Sequence, residues 1–231
     1  MNPITIVLDE SCAHLRSAVA ELAPVQVFQR TSGFLERSRI AARELQQLLT
    51  EHSLLGRAIY VSQSFGCFTA LLHAYEYRDV LLGILLLDPF HPRQGTEALR
   101  ILSDAPSNSE VERLRSLLAG FGPAWEESCR EVSELRDLGD ISLHVLAGAR
   151  FDLISDLPNV IKEQLIQSRH TMLAEYCRLS TNSTFVLIDS AGHDISHQSP
   201  DAVLSAIKRI LDAKESEPKK PVQRTGASAR R

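Results

Sequence analysis

The chain has no uninterrupted apolar run of membrane-spanning length. Its longest, around Val80 to Leu87, is strand-sized, whereas a spanning helix takes about 20 residues. The opening residues, MNPITIVLDE, carry no cationic stretch ahead of the apolar ones; they do not resemble a secretory signal, and a cytoplasmic protein is the expectation. The four cysteines, Cys12, Cys67, Cys129 and Cys177, are scattered, with no C-x-x-C and no metal-ligand spacing. Neither a zinc site nor a disulfide framework is suggested, and the thiols are expected to act as small buried hydrophobes. There is no G-x-G-x-x-G and no G-x-x-x-x-G-K-[ST], so nothing is built to cradle phosphates. No internal repeat is present.

What is present describes one ordinary globular domain: 231 residues, 44% hydrophobic and 23% charged, enough to bury a full core. The net charge of -4 hides an asymmetry. From Ala213 onward the chain carries six Lys/Arg against two Glu, leaving 19 of the 25 Lys/Arg against 27 of the 29 Asp/Glu in the body, a net of -8. An acidic body argues against nucleic acid as the main ligand. Residues 213–231, rich in Pro, Gly, Ser and basic residues, read as a disordered basic tail after a domain spanning 1–212.

Along the body, strand-sized apolar runs alternate with helical patterns. Six runs read as strands: Ile4 to Leu8, Val25 to Phe28, Ala58 to Val61, Leu81 to Leu87, Ile141 to Leu146 and Thr184 to Ile188. Several, such as GILLLD and TFVLID, are apolar throughout, as a parallel strand buried on both faces requires. Ala41, Leu45, Leu48 and Leu49 fall on one helix face, and after Ser199-Pro200 so do Val203, Ile207, Ile210 and Leu211. The alternation predicts an α/β, doubly wound, mostly parallel six-stranded sheet. About fifty residues separate Leu87 from Ile141, too many for a simple crossover. The spacing predicts a helical cap insertion over about 91–140, lying across the C-terminal edge of the sheet. Leu117, Leu118, Phe121 and Trp125 are its candidate pocket residues.

The strand at 58–61 runs into Ser62-Gln63-Ser64-Phe65-Gly66, and a helix follows at once. A side chain on such a corner is displayed outward, and small residues two before and two after it are needed where backbone crowds the turn. Ser64 is the candidate nucleophile, with the Phe65 N–H as one oxyanion donor at a helix N-terminus.

These residues resemble the G-x-S-x-G nucleophile elbow of the α/β-hydrolase superfamily, with serine in the first small position. The family's chain order is nucleophile, acid, histidine. ISLHVLAGARFD ends in Gly148 and then Asp152, where the resemblance implies the acid; TFVLIDSAGHDIS ends in Ala191-Gly192-His193, similar to the family's histidine loop. The resemblance therefore implies α/β-hydrolase topology and a triad of Ser64, Asp152 and His193, with Asp156 and His197 as competitors. His193 would be the base, and the acid would fix its tautomer. His14, His52, His73, His91, His144 and His170 are read as structural, His91 being the one candidate pocket contact. Where the family has His-Gly after its oxyanion strand, this chain has Asp9-Glu10, leaving Ser11 as the second oxyanion donor; a working hole requires Asp9 and Glu10 to point to solvent.

The expected activity is that of a serine hydrolase cleaving a small, largely apolar carboxylic ester or thioester through an acyl-enzyme on Ser64, with no metal, no cofactor and a small molecule as partner. The alternative is a non-catalytic α/β-hydrolase-like binding or scaffold protein. A third reading makes the elbow a plain strand-to-helix turn of another doubly wound protein.

Overall fold

The apolar runs form strands whose successive residues feed two different cores. In the computed structural model, which describes residues 3–31, 37–106, 108–150 and 157–216, six parallel strands form one sheet: β1 (Thr5–Asp9), β2 (Val25–Phe28), β3 (Ala58–Gln63), β4 (Leu81–Leu87), β5 (Ser142–Gly148) and β6 (Ser183–Ile188), in the order β2-β1-β3-β4-β5-β6. Val7, Tyr60, Ile84, Leu86 and Val145 point into one apolar cluster, and Ile6, Leu8, Ile59, Val61 and Leu85 into the other. The central all-apolar strands are thus two-sided, covered by helices on both faces; β6, whose run TFVLI also reads as buried, is an edge strand and leaves Leu187 exposed.

The first face is covered by α2 (Ser38–Glu51), α3 (Gly66–Glu76) and α6 (Gly122–Ser133), which contribute Leu45, Leu49, Phe68, Leu71, Leu72 and Val132. The second takes Leu15, Val19 from the short α1 (Arg16–Val19), and Val203, Ile207 and Ile210 from α9 (Pro200–Ser216). Truncating a buried residue such as Ile207 to alanine would cost about 2–5 kcal/mol. Helix α9 starts at Pro200, whose missing N–H costs nothing there. It continues through Ser216 into the stretch that composition assigned to the tail; residues 217–231 lie outside the described residues.

Three helices lie between β4 and β5: α4 (Gln94–Ser103), α5 (Ser109–Ala119) and α6. The Asn108 carboxamide accepts from the Val111 N–H at 2.9 Å and starts α5. Only α4 and α5 leave the sheet; α6 returns to it against α3. A third apolar cluster joins Ile101 and Leu102 of α4 and Val111 and Leu114 of α5 to Ile161 and Leu165 of α7 (Asn159–Glu175). The layer above the sheet edge therefore draws on α7, beyond residue 140. No helix among the described residues is long and apolar enough to cross a membrane.

Strands β3 and β5 both run two residues further than the apolar runs read from the sequence, to Gln63 and Gly148. Beyond the paired registers, amides step across the sheet: Ser64 N–H to the Leu87 carbonyl at 3.0 Å, Asp88 N–H to Leu146 at 2.7 Å, and Ala149 N–H to Ile188 at 3.1 Å. Four strand ends are laced together in this way, at the edge where a parallel sheet places ligands.

Candidate active site

The elbow follows from that lacing. Ser64 sits at φ +55°, a left-handed conformation costing a non-glycine residue about 1–2 kcal/mol. It is held by its N–H bond to Leu87 and by its carbonyl, which accepts from Cys67 at 3.2 Å and Phe90 at 3.3 Å. Two residues on, a Cβ at Gly66 would lie 2.8 Å from Arg30 Nη2 and 3.0 Å from Asp9 Oδ2, so only glycine fits without movement. Ser62, two residues before, is fully buried.

His193 is carried by the turn between β6 and the short α8 (Ile195–Gln198). Its Nε2 is 3.0 Å from Ser64 Oγ, and its Nδ1 is 2.6 Å from Asp88 Oδ2. A carboxylate only accepts, so the Nδ1 proton donates to Asp88, leaving Nε2 as acceptor for the serine hydroxyl. The turn is anchored by Gln63, whose Nε2 donates to Asp194 Oδ1 at 3.2 Å while its Oε1 accepts the Ser196 N–H at 3.2 Å. The turn also passes so near the end of β5 that a Cβ on Gly148 would lie 2.0 Å from the Gly192 carbonyl oxygen.

Asp88 is the residue that follows β4, at φ +44° and 1% exposed. Its Oδ1 accepts the Gly148 N–H at 3.0 Å and a bond from Arg169 Nη2 of α7. Arg169 Nη1 donates to the Gly148 carbonyl at 3.1 Å. Burial, and after it the Arg169 charge, hold the His193 imidazole below the ordinary histidine range, against the opposing charge of Asp194. The ring is then a neutral base at neutral pH.

The structure brings Ser64 and His193 together. Asp152 and Asp156 lie outside the described residues, and the carboxylate in contact with His193 is Asp88. Sequence reasoning passed over Asp88, although LLLDPF places an aspartate directly at the end of the strand beside the elbow. His197 is exposed, stacked on His14 at 3.6 Å and bonded to Asp194, away from Ser64. His91 is buried beside Glu175, outside the cavity at Ser64, and burial lowers its pKa to about 4.

Phe65 precedes α3 and lines the cavity, its ring 4.8 Å from Phe90 and 4.7 Å from Trp125. The second oxyanion position differs from expectation. Asp9 does not point to solvent; it is 1% exposed, accepting from Arg30 Nη2 at 3.0 Å and from the Tyr60 hydroxyl at 2.9 Å. The cause is a cationic partner reaching it from the segment after β2 and a phenolic one from β3. Both the N–H and the hydroxyl of Ser11 donate to Asp9 Oδ1, at 3.2 and 2.7 Å, so that amide serves as a local cap. Ser11 does not line the cavity; Glu10 is the exposed member of the pair.

Above Ser64 lies a cavity of about 220 Å³. Phe90, Leu117, Leu118 and Phe121 line it, with Leu165 and Met172 of α7. Trp125 stands behind this wall, stacked on Phe68. Gln94, Ser168 and Arg169 add polar groups to the apolar wall. Among the described residues, no group of three or more His, Cys, Asp or Glu is arranged to hold a metal ion.

No protein-family model matches the chain. Over 182 residues, 68% of the chain, it is 25% identical to 2-(acetamidomethylene)succinate hydrolase of Mesorhizobium japonicum, and the match spans only 65% of that protein's length. Among solved structures it resembles a thermophilic esterase from Thermogutta terrifontis, with TM-score 0.53 and 20% identity over 92% of this chain and 90% of that one. It also resembles a haloalkane dehalogenase from Bradyrhizobium elkani, with TM-score 0.61 and 13% identity over 93% and 91%.

Proposed function

We propose that the chain, which has the fold of the α/β hydrolases it resembles, is a serine hydrolase acting on a small, largely apolar carboxylic ester or thioester. The observation that carries the reading is the continuous path from Ser64 Oγ through His193 to Asp88, at 3.0 and 2.6 Å. His193 Nε2 takes the Ser64 proton as Oγ attacks the carbonyl carbon. The resulting oxyanion is stabilised at the N-terminus of α3, where the Phe65 N–H is the donor assigned. Collapse expels the alcohol or thiol, protonated by His193, and leaves an acyl-Ser64. Water, deprotonated by the same imidazole, then releases the acid. Asp88 holds the imidazole tautomer and stabilises the imidazolium. Asp88 takes the acid's role here in place of Asp152.

The substrate class is supported by the cavity. Its wall is leucine and phenylalanine, and Arg169, the arginine that reaches it, is already bonded to Asp88. A doubly charged succinate derivative of the kind the curated relative is named for would meet little to balance its carboxylates among the described residues. The binding-protein reading draws on one observation, the commitment of the Ser11 amide to Asp9. Loss of a single oxyanion donor costs a hydrolase about 2.7–4 kcal/mol.

Labelling the purified chain with a fluorophosphonate, followed by peptide mapping, separates the two. Modification of Ser64 that is absent in Ser64→Ala and His193→Ala supports the hydrolase. A folded parent chain that stays unlabelled at mildly alkaline pH rejects it in favour of binding without turnover.

A further inference from the structure

We propose that Arg169 is a positioning residue of the Ser64–His193–Asp88 site, fixing Asp88 with one carboxylate oxygen turned to the imidazole and balancing its charge in the resting state. The proposal rests on the hydrolase reading and deepens it. Asp88 is 1% exposed and Arg169 is 2% exposed, so neither charge is relieved by water. The two oxygens of Asp88 have separate duties: Oδ2 meets His193, while Oδ1 is held by Arg169 Nη2 and the Gly148 amide. With its other arm the guanidinium holds the Gly148 carbonyl at 3.1 Å. One rigid fork thus ties the acid at the end of β4 to the end of β5, a two-point grip that a lysine ammonium cannot reproduce.

The fork also changes the electrostatics of the base. Burial lowers the Arg169 pKa to about 10, so it remains charged at neutral pH. The guanidinium sets a positive charge beside the Asp88–His193 pair, where a serine site with a lone ionised acid has none. Arg169 therefore opposes protonation of His193 and keeps the base free further into the acidic range. Among the described residues the groups facing His193 are Asp88 from the end of β4, Ser64 from the elbow, Arg169 from α7 and Asp194 from its own turn. His170, bonded to the Gly148 carbonyl at 3.0 Å, is a further titratable group on α7. Because α7 also supplies Leu165, Ser168 and Met172 to the cavity, one helix carries both a pocket wall and the clamp on the acid.

The test is the rate of fluorophosphonate labelling against pH for the parent chain, Arg169→Gln and Arg169→Lys, each checked by thermal unfolding. Arg169→Gln should label roughly 10-fold to 100-fold more slowly, short of the ~10⁴-fold loss associated with replacing the acid itself. Its acidic limb should move up by about one pH unit, because the imidazolium loses a repelling charge and keeps an attracting one. Arg169→Lys should keep the limb near the parent's and lose part of the rate. A folded Arg169→Gln with parental rate, or with slower labelling but an unmoved limb, overturns the proposal. If that variant does not fold, parental labelling by Arg169→Lys overturns it instead. Should the parent chain itself remain unlabelled, the hydrolase reading fails separately. The clamp is then decided by the downfield Nδ1 proton resonance of His193, expected in the parent and lost or shifted in the folded Arg169 variant; an unchanged resonance rejects it.

Discussion

Two stretches of the same sheet edge are built on different principles. At the ends of β3, β4 and β5, backbone amides step from strand to strand, and the side chains of Ser64, Asp88 and His193 are hung on that lattice. At the end of β1 the order is held by side chains: Asp9, Arg30, Tyr60 and Ser11 make a buried polar knot against Gly66. The first arrangement displays reactive groups toward a cavity. The second spends its donors on itself and supports the elbow from beneath. A serine hydrolase needs the first; the second determines how well the elbow is braced and how many N–H groups remain for an oxyanion.

The largest effect expected from breaking this comparison is on the laced side. Asp88→Asn should lower kcat/KM toward an aryl ester by about 10⁴-fold, since the amide favours the wrong imidazole tautomer. Asp152→Asn should remain close to the parent; equal losses in the two variants would return the acid's role to the end of β5. On the knotted side, Asp9→Asn leaves the buried Arg30 charge with only the long 3.9 Å contact to Glu10 among the described residues, and should destabilise the chain by about 3 kcal/mol in urea unfolding. The double replacement Asp9→Leu with Arg30→Met removes both charges and should recover much of that loss. If the single variant is as stable as the parent, the knot is not a brace.

Gly148→Ala comes next, because it strikes the junction of β5 with the histidine turn. The new methyl would lie 2.0 Å from the Gly192 carbonyl oxygen, so the turn must shift. A displacement of about 1 Å at a reacting group can cost about 10²-fold. Labelling should slow by that order while the sheet stays folded, as near-parental far-ultraviolet dichroism would show.

The strands, their parallel arrangement and the elbow were legible because they rest on local pattern: apolar runs that need covering on both faces, and small residues around Ser64. The carboxylate in contact with His193 was less so. The sheet order puts the ends of β4 and β5 side by side next to β6, so either could offer a carboxylate to His193, and chain order alone does not choose between them. The burial of Asp9 was also invisible locally, since its partners Arg30 and Tyr60 lie 21 and 51 residues away in the chain. Helix α7 gave no single apolar stripe because it serves two sides, with Leu165 in the cap cluster and Leu173 in the main core.

The smallest expected effect concerns Gln63, the variable position inside the elbow motif. Its side chain joins the elbow to the histidine turn through Asp194 and Ser196 without touching Ser64 or His193. Gln63→Ala removes two hydrogen bonds, one of them to a carboxylate, worth together about 2–4.5 kcal/mol if neither is replaced by water. Part of that should appear as freedom of the turn, giving roughly a tenfold fall in kcat with KM little changed, because the 220 Å³ cavity is lined by other residues. Gln63→Glu sharpens the point. It keeps an acceptor for Ser196 but sets a second carboxylate against Asp194, so it should be slower than Gln63→Ala. Equal rates in the two variants would mean that the turn is held by the Gly192 and Gln198 contact and by the packing of Ile195, and that the elbow and the histidine turn are positioned independently.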